Sequence, residues 1–287
     1  NFKMSNHLKG LIMAFLGVFI LSPDAVLIRL ANADSWSILF WRGIFYALGI
    51  IIIVLITYRS KAIKEVKTVG KDGILIGILT GFGSVTFVFA IQLTSIASAL
   101  VIISTMPMMT AIISWIILKE KSGISTWLAM IIIAIGIYIV MNDEPSSSNL
   151  LGNLSALAST IFGASGFTLI RKNKNINMIP AMGISAIVST LIAAIFIETV
   201  ILPFDSMLYI FAMGVMVSLS FSLITSSGRY IPATEVGMFM PLGAVFGVIA
   251  GWLIINEEPS NRALIGGFIV LLTLFIHSWY SSKLQTK

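Results

Sequence analysis

Asp24 interrupts a segment, LIMAFLGVFILSPDAVLIRL, that is otherwise almost wholly apolar, and Arg42 does the same in SWSILFWRGIFYALGIIIIVLITY. An unpaired charge at such depth in a lipid-buried helix costs at least a few kcal/mol, so each needs a partner, a proton or a ligand. Arg29 shares a segment with Asp24 but lies about 140° around an ideal helix from it, whereas pairs within a helix prefer three or four residues. It is expected to snorkel to the outer interface. Arg42, counted from a helix start at Trp36, reaches about the same depth as Asp24. An Asp24–Arg42 pair could hold both ends of a zwitterion or close an outer gate, and it could equally be a structural pair that orients two helices. Asp24 could also hold a proton.

Other chemistry-bearing residues stand in apolar stretches near these two: Trp41 beside Arg42; Thr80, Ser84 and Phe87 at helical spacing; Gln92; and Ser218, Ser222 and Thr225. They are candidates for lining a binding or gating cavity, although hydroxyls in lipid also bond their own backbone carbonyls. Glu235 is either a second proton site or an interfacial acid paired with Arg229. Glu120 and Glu257 sit at segment ends and are expected to pair at the boundary. Met106, Met108 and Met109 read as filler, and Trp115, Trp127 and Tyr138 as packing or an interfacial belt.

The elements that would position these residues follow from composition. Of the 287 residues 57% are hydrophobic and 10% charged, with mean hydropathy +1.01. Soluble domains carry about a quarter charged residues. Runs long enough to cross a hydrocarbon layer of about 30 Å recur along the chain, and none alternates as a barrel strand does. The expected fold class is an all-α integral membrane protein with spans near 8–30, 36–58, 73–92, 97–118, 124–141, 150–170, 178–198, 206–227, 233–255 and 262–280. The first run is expected to be a helix rather than a signal peptide, because Pro23 and Asp24 interrupt it and no small-residue cleavage pattern follows. Basic residues gather in alternate loops, around Lys9, Arg59 to Lys71, Lys119, Arg171 to Lys174 and Lys283, while the other loops hold Asp34, Asp143, Asp205, Glu257 and Glu258. By the positive-inside rule the chain is a multi-pass protein of a bacterial-type inner membrane with both termini cytoplasmic.

The chain also repeats itself. TMPMMTAIISWIILKEKS (105–122) matches LGAVFGVIAGWLIINEEP (242–259), placing Trp115 on Trp252 and Glu120 on Glu257, and LIR recurs at 27–29 and 169–171. Two halves of five spans, 8–141 and 150–280, put the second copy in inverted orientation, an architecture of secondary transporters. Asp24 maps to Gly166 and Arg42 to Ile184, so this pair has no counterpart. Gly73, Gly77 and Gly81, and Gly243, Gly247 and Gly251, form bare stripes that suit either static packing or sliding surfaces.

The segments closing the fourth and ninth spans, above all PATEVGMFMPLGAVFGVIAGWLIINEEPS, resemble EamA domains of the drug/metabolite transporter superfamily, over nearly the whole chain. In such domains this span begins after small residues, as in TSIASALVIISTMP, carries a proline near its middle and ends in Gly-Glu. Pro107 and Glu120 fit. The second copy departs, with Ala244 at the proline position and Pro241 a turn earlier, so any kink is displaced; Lys119 and Asn256 stand where the glycine would. The resemblance implies ten helices around a cavity lined by helices 1, 3, 4, 6, 8 and 9, and export or exchange of small metabolites.

The expected function is a secondary active transporter that moves a small polar or amphipathic metabolite, first of all an amino acid or related zwitterion, by alternating access. A multidrug or lipophilic-cation exporter of the same fold is the alternative. The partners are then a small-molecule substrate and the lipid bilayer; no nucleic acid is expected, because the basic residues sit in loops rather than along a folded surface, and a homodimer is left open. No enzyme, cofactor or metal is expected: cysteine is absent, His7 and His277 are isolated, and HExxH, GxSxG and GxxxxGK[ST] do not occur.

Overall fold

The structure is a computed structural model that describes residues 5–119, 124–142 and 147–285. Among the described residues it is all-helical, with no strand. The helices are α1 (Asn6–Leu21), α2 (Asp24–Leu30), α3 (Ser35–Tyr58), α4 (Ala62–Thr68), α5 (Gly70–Leu93), α6 (Ile96–Ile103), α7 (Met106–Leu118), α8 (Ile124–Met141), α9 (Ser147–Lys172), α10 (Ile179–Phe196), α11 (Phe204–Ser227), α12 (Ala233–Gly237), α13 (Met240–Ile255) and α14 (Asn261–Gln285). Eight helical stretches are long and apolar enough to span a membrane, and two shorter apolar helices, Trp127–Met141 and Asn261–His277, accompany them.

Three of the expected spans are broken, each for a local reason. Span 1 stops at Leu21 and restarts at Asp24, because Pro23 has no N–H to continue the ladder; Ser22 Oγ instead donates to Val18 O at 2.9 Å. Span 4 divides into α6 and α7 around Ser104 and Thr105, whose hydroxyls turn back onto the Val101 and Ile102 carbonyls, just before Pro107. Span 9 divides into α12 and α13 before Pro241, one turn earlier than in the first copy, as the shifted proline dictates. Irregular backbone at membrane depth is tolerated where protein surrounds it. The last residues of α7 and α13 run into Lys119 and Asn256, which both take left-handed φ values, 57° and 54°. These are the positions where the resemblance expects glycine, the residue that adopts this conformation without strain. Glu120, the partner residue in that motif, lies outside the described residues.

Helix starts are set by short polar signals. Asp34 Oδ1 accepts the Trp36 and Ser37 amides, each at 3.0 Å, and opens α3; Ser95 caps α6 through the Ser98 amide. The long helices pack in a recurring pattern: α5 along α9, α1 along α11, α10 against α3 and α5, α11 against α3, and α8 with α14. Bare glycines allow the closest approaches. A Cβ at Gly81 would lie 2.8 Å from Val188 Cβ and 3.0 Å from Ser185 O on α10. Gly77 and Gly81 therefore form a tight contact with α10.

Candidate functional site

Span 1's break and the first third of α3 meet inside the bundle. Arg42 Nη2 donates to Asp24 Oδ2 at 2.6 Å, and the two residues are 4% and 1% exposed. The break matters here because Asp24 becomes the first residue of α2, where free backbone N–H groups favour a negative charge. Arg42 Nη1 donates to Ser84 Oγ at 2.8 Å, and its guanidinium lies 6.0 Å from the centre of the Phe87 ring. Asp24, Arg42, Ser84 and Phe87 are thus assembled from three spans that the sequence leaves far apart.

This group lies in the wall of a central cavity of about 100 Å³, lined further by Leu21, Tyr46, Thr80, Gly83, Ile103, Met106, Ser159, Gly163, Phe167, Ser185, Val217, Phe221 and Met240. Asp24 Oδ1 and Arg42 Nε are buried without a hydrogen-bond partner among the described residues. A carboxylate and a guanidinium that each keep a free valence beside a cavity can bind groups of opposite charge, and leaving them unpaired costs stability. The volume is below the roughly 300–1,000 Å³ of small-molecule sites, so a metabolite enters only if the walls move.

The other candidates are placed elsewhere. Trp41 points away from the cavity: its indole N–H donates to Val200 O at 2.9 Å and its ring stacks on Phe45. Gln92 donates to Ala33 O at 3.1 Å and fastens the turn after α2. Ser218 and Ser222 donate to Val215 O and Ser218 O within α11, and neither lines the cavity. Thr80 lines it but spends its hydroxyl proton on Ile76 O. Thr225 Oγ1 is buried without a hydrogen-bond partner among the described residues. Spans 2 and 7, α3 and α10, also supply the wall, through Arg42, Tyr46 and Ser185, which widens the set of lining spans that the resemblance implies.

One ionic expectation gains partners and one is corrected. Arg29 reaches the end of span 1, where its Nη2 donates to Thr94 O at 2.8 Å and its Nε is 3.4 Å from Glu257 Oε2. Glu257 Oε1 also accepts the Ile96 amide at 2.6 Å, at the start of α6. Glu235 pairs with His7, Nε2 to Oε2 at 2.9 Å, and not with Arg229, which donates to Lys174 O. Tyr46 and Phe221 are cavity residues that the sequence reading passed over. Both had a signal: Tyr46 stands one turn after Arg42 on the same face of α3, and Phe221 stands three residues after Ser218 and four before Thr225 on α11.

Comparison with known proteins fits this architecture. The profile of the EamA-like transporter family matches residues 8–142 and 150–279. Solute carrier family 35 member G1 of Homo sapiens is 24% identical over 297 residues, covering 96% of this chain and 80% of that protein. An S-adenosylmethionine uptake transporter of Rickettsia bellii (strain RML369-C) is 27% identical over 255 residues, covering 87% and 85%. A protein of known crystal structure shares the fold with a TM-score of 0.71 at 15% identity, covering 96% of this chain and 98% of the other. With the family profile spanning both halves of a multi-pass helical membrane protein, this chain belongs to the EamA-like transporter family.

Proposed function

We propose that this protein is a secondary transporter that moves a small zwitterionic metabolite, an α-amino acid or a derivative of one, by alternating access across a bacterial-type inner membrane with both termini cytoplasmic. The observation that carries this is the buried Asp24–Arg42 pair in the cavity wall, with Asp24 Oδ1 and Arg42 Nε still free to meet an ammonium and a carboxylate. Tyr46, Phe87 and Phe221 would face the rest of the ligand. A relative named for uptake of S-adenosylmethionine, itself an α-amino acid, supports this substrate class.

The scaffold is ten spans in two inverted halves. Exchanging the halves turns the α5–α9 contact into α1–α11 and the α5–α10 contact into α11–α3, and maps α3–α10 and α8–α14 onto themselves. The shared left-handed ends at Lys119 and Asn256 fit the same exchange. Such a repeat lets one half rock against the other about a midplane site.

The test is a thermal-stability screen of purified protein against amino acids, nucleobases, polyamines, organic acids and lipophilic cations, followed by counterflow in sealed vesicles. A ligand at 100 times its Kd adds about 2.7 kcal/mol. The expected result is stabilisation by zwitterions that both Asp24→Asn and Arg42→Gln abolish, with labelled solute exchanging for unlabelled. Stabilisation by lipophilic cations that needs Asp24 and tolerates Arg42→Gln would replace the zwitterion with a cation and make the protein an exporter of the multidrug kind.

A further inference from the structure

The two contacts of span 1 with span 9 have a common geometry. His7 and Arg29 stand near opposite ends of span 1, and Glu235 and Glu257 near opposite ends of span 9. The spans run parallel, and the stretch from 7 to 29 is as long as that from 235 to 257. As helix this is about 33 Å, close to the hydrocarbon thickness of about 30 Å. Spans 1 and 9 are therefore clamped together once at each end, with the central cavity between the clamps.

The breaks in the two spans fall between the same clamps, in a complementary way. Arg29 lies on the short segment α2, beyond the Ser22–Pro23 break, and reaches to the end of the long segment α13. Glu235 lies on the short segment α12, beyond the Met238–Phe239 break, and reaches to the start of the long segment α1. Each clamp thus joins a short, hinged piece of one span to the long piece of the other. Leu21, Asp24 and Met240, at the two breaks, line the central cavity. A second cavity of about 60 Å³, lined by Ser22, Leu100, Gly243 and Ala244 among others, leaves room beside the first hinge. The intervening face of α13 is smooth: a Cβ at Gly243 would lie 2.7 Å from Val18 Cγ1, and one at Gly247 would lie 2.5 Å from Leu100 Cδ1 and 3.2 Å from Ser22 O.

We infer that Arg29–Glu257 and His7–Glu235 are the two gate latches of the transport cycle, each released in turn as α2 or α12 swings about its break. This inference rests on the alternating-access reading. Hinges at element ends and discontinuous helices are the usual means of such motions. The latches differ in strength. Arg29 is 28% exposed at its side chain and has a second anchor at Thr94 O, while His7 is 59% exposed and meets Glu235 as its one acidic partner among the described residues. The His7 end therefore opens more readily.

The chain contains no cysteine, so a single Thr80→Cys in the cavity wall reports access without a background. Sealed vesicles of each orientation are treated with a membrane-impermeant maleimide and the labelling rate is measured. Arg29→Gln and Glu257→Gln are expected to speed labelling from the Glu257 face by roughly tenfold, and His7→Gln and Glu235→Gln from the opposite face by roughly threefold, the lower figure following from the weakness of exposed pairs. Arg29→Lys, which keeps a cation for Glu257 and an N–H for Thr94 O, should hold labelling near the parent rate, which a merely misfolded variant would not do. Equal rates from both faces in all four variants, or the same face opened by both pairs, would overturn the inference. The assay needs no substrate, so a failure of the zwitterion assignment leaves it standing, and side-independent labelling in a protein that still exchanges zwitterions refutes the latches alone.

Discussion

Asp24 and Arg42 show how little a pair's sequence separation says about its energetics. Each charge is tolerated because the other is 2.6 Å away. Removing one partner from a buried pair costs about 3–5 kcal/mol, whereas replacing both with well-packed apolar residues is often neutral. Arg42→Met is therefore expected to lower the unfolding free energy in detergent far more than Asp24→Leu combined with Arg42→Met, and a double-mutant cycle on denaturant curves measures the difference. If the two variants are equally unstable, the pair is not a coupled unit. Ser84→Ala removes one acceptor of Arg42 and should cost about 1–3 kcal/mol by the same measurement, since a guanidinium N–H is then stranded. Tyr46 was recoverable from its one-turn spacing to Arg42. Nothing in the sequence placed Trp41 on the outside, since an indole beside a buried arginine fits either face until the fold supplies Val200 O as its acceptor.

Among the elements, the broken spans are where the proposed motions would occur. Proline explains where α2 and α13 begin, and the displaced Pro241 moves the second break by a turn, which was legible in the sequence. A continuous helix through 22–23 would remove the first hinge. Pro23→Ala is expected to leave helical content by circular dichroism unchanged while slowing counterflow by roughly tenfold, as loss of a hinge step does. The packing elements behave oppositely. Gly81→Val places bulk against Val188 and the Ser185 carbonyl, and overpacking of this kind costs about 1–3 kcal/mol, to be read as an earlier thermal unfolding transition. The two glycine stripes meet different neighbours: Gly77 and Gly81 press α5 onto α10, while Gly243 and Gly247 lie against Val18, Ser22 and Leu100.

For the whole molecule, the small central cavity sets the clearest expectation. At about 100 Å³ it is smaller than a small-molecule site, so binding a metabolite must expand it. Ser185→Phe, which fills that space from α10, is expected to abolish ligand stabilisation and counterflow while leaving the fold intact by circular dichroism; retained transport would place the site elsewhere. By itself the sequence determined that the protein is helical and membrane-spanning, because twenty apolar residues in a row can satisfy their backbone in lipid only as helix. It also determined the depth match of Asp24 and Arg42, because rise per residue is fixed. What it could not determine is which way each helix faces. In a soluble helix the polar stripe reveals the rotation, but a span between protein and lipid is apolar on both sides, and the core and the bilayer select the same side chains. The partners of Arg29 and Glu235, the outward turn of Trp41 and the intrahelical bonds of Ser218 and Ser222 all depend on that rotation. Only the packing of one helix against another, decided by glycine contacts and the few buried polar groups, fixes it.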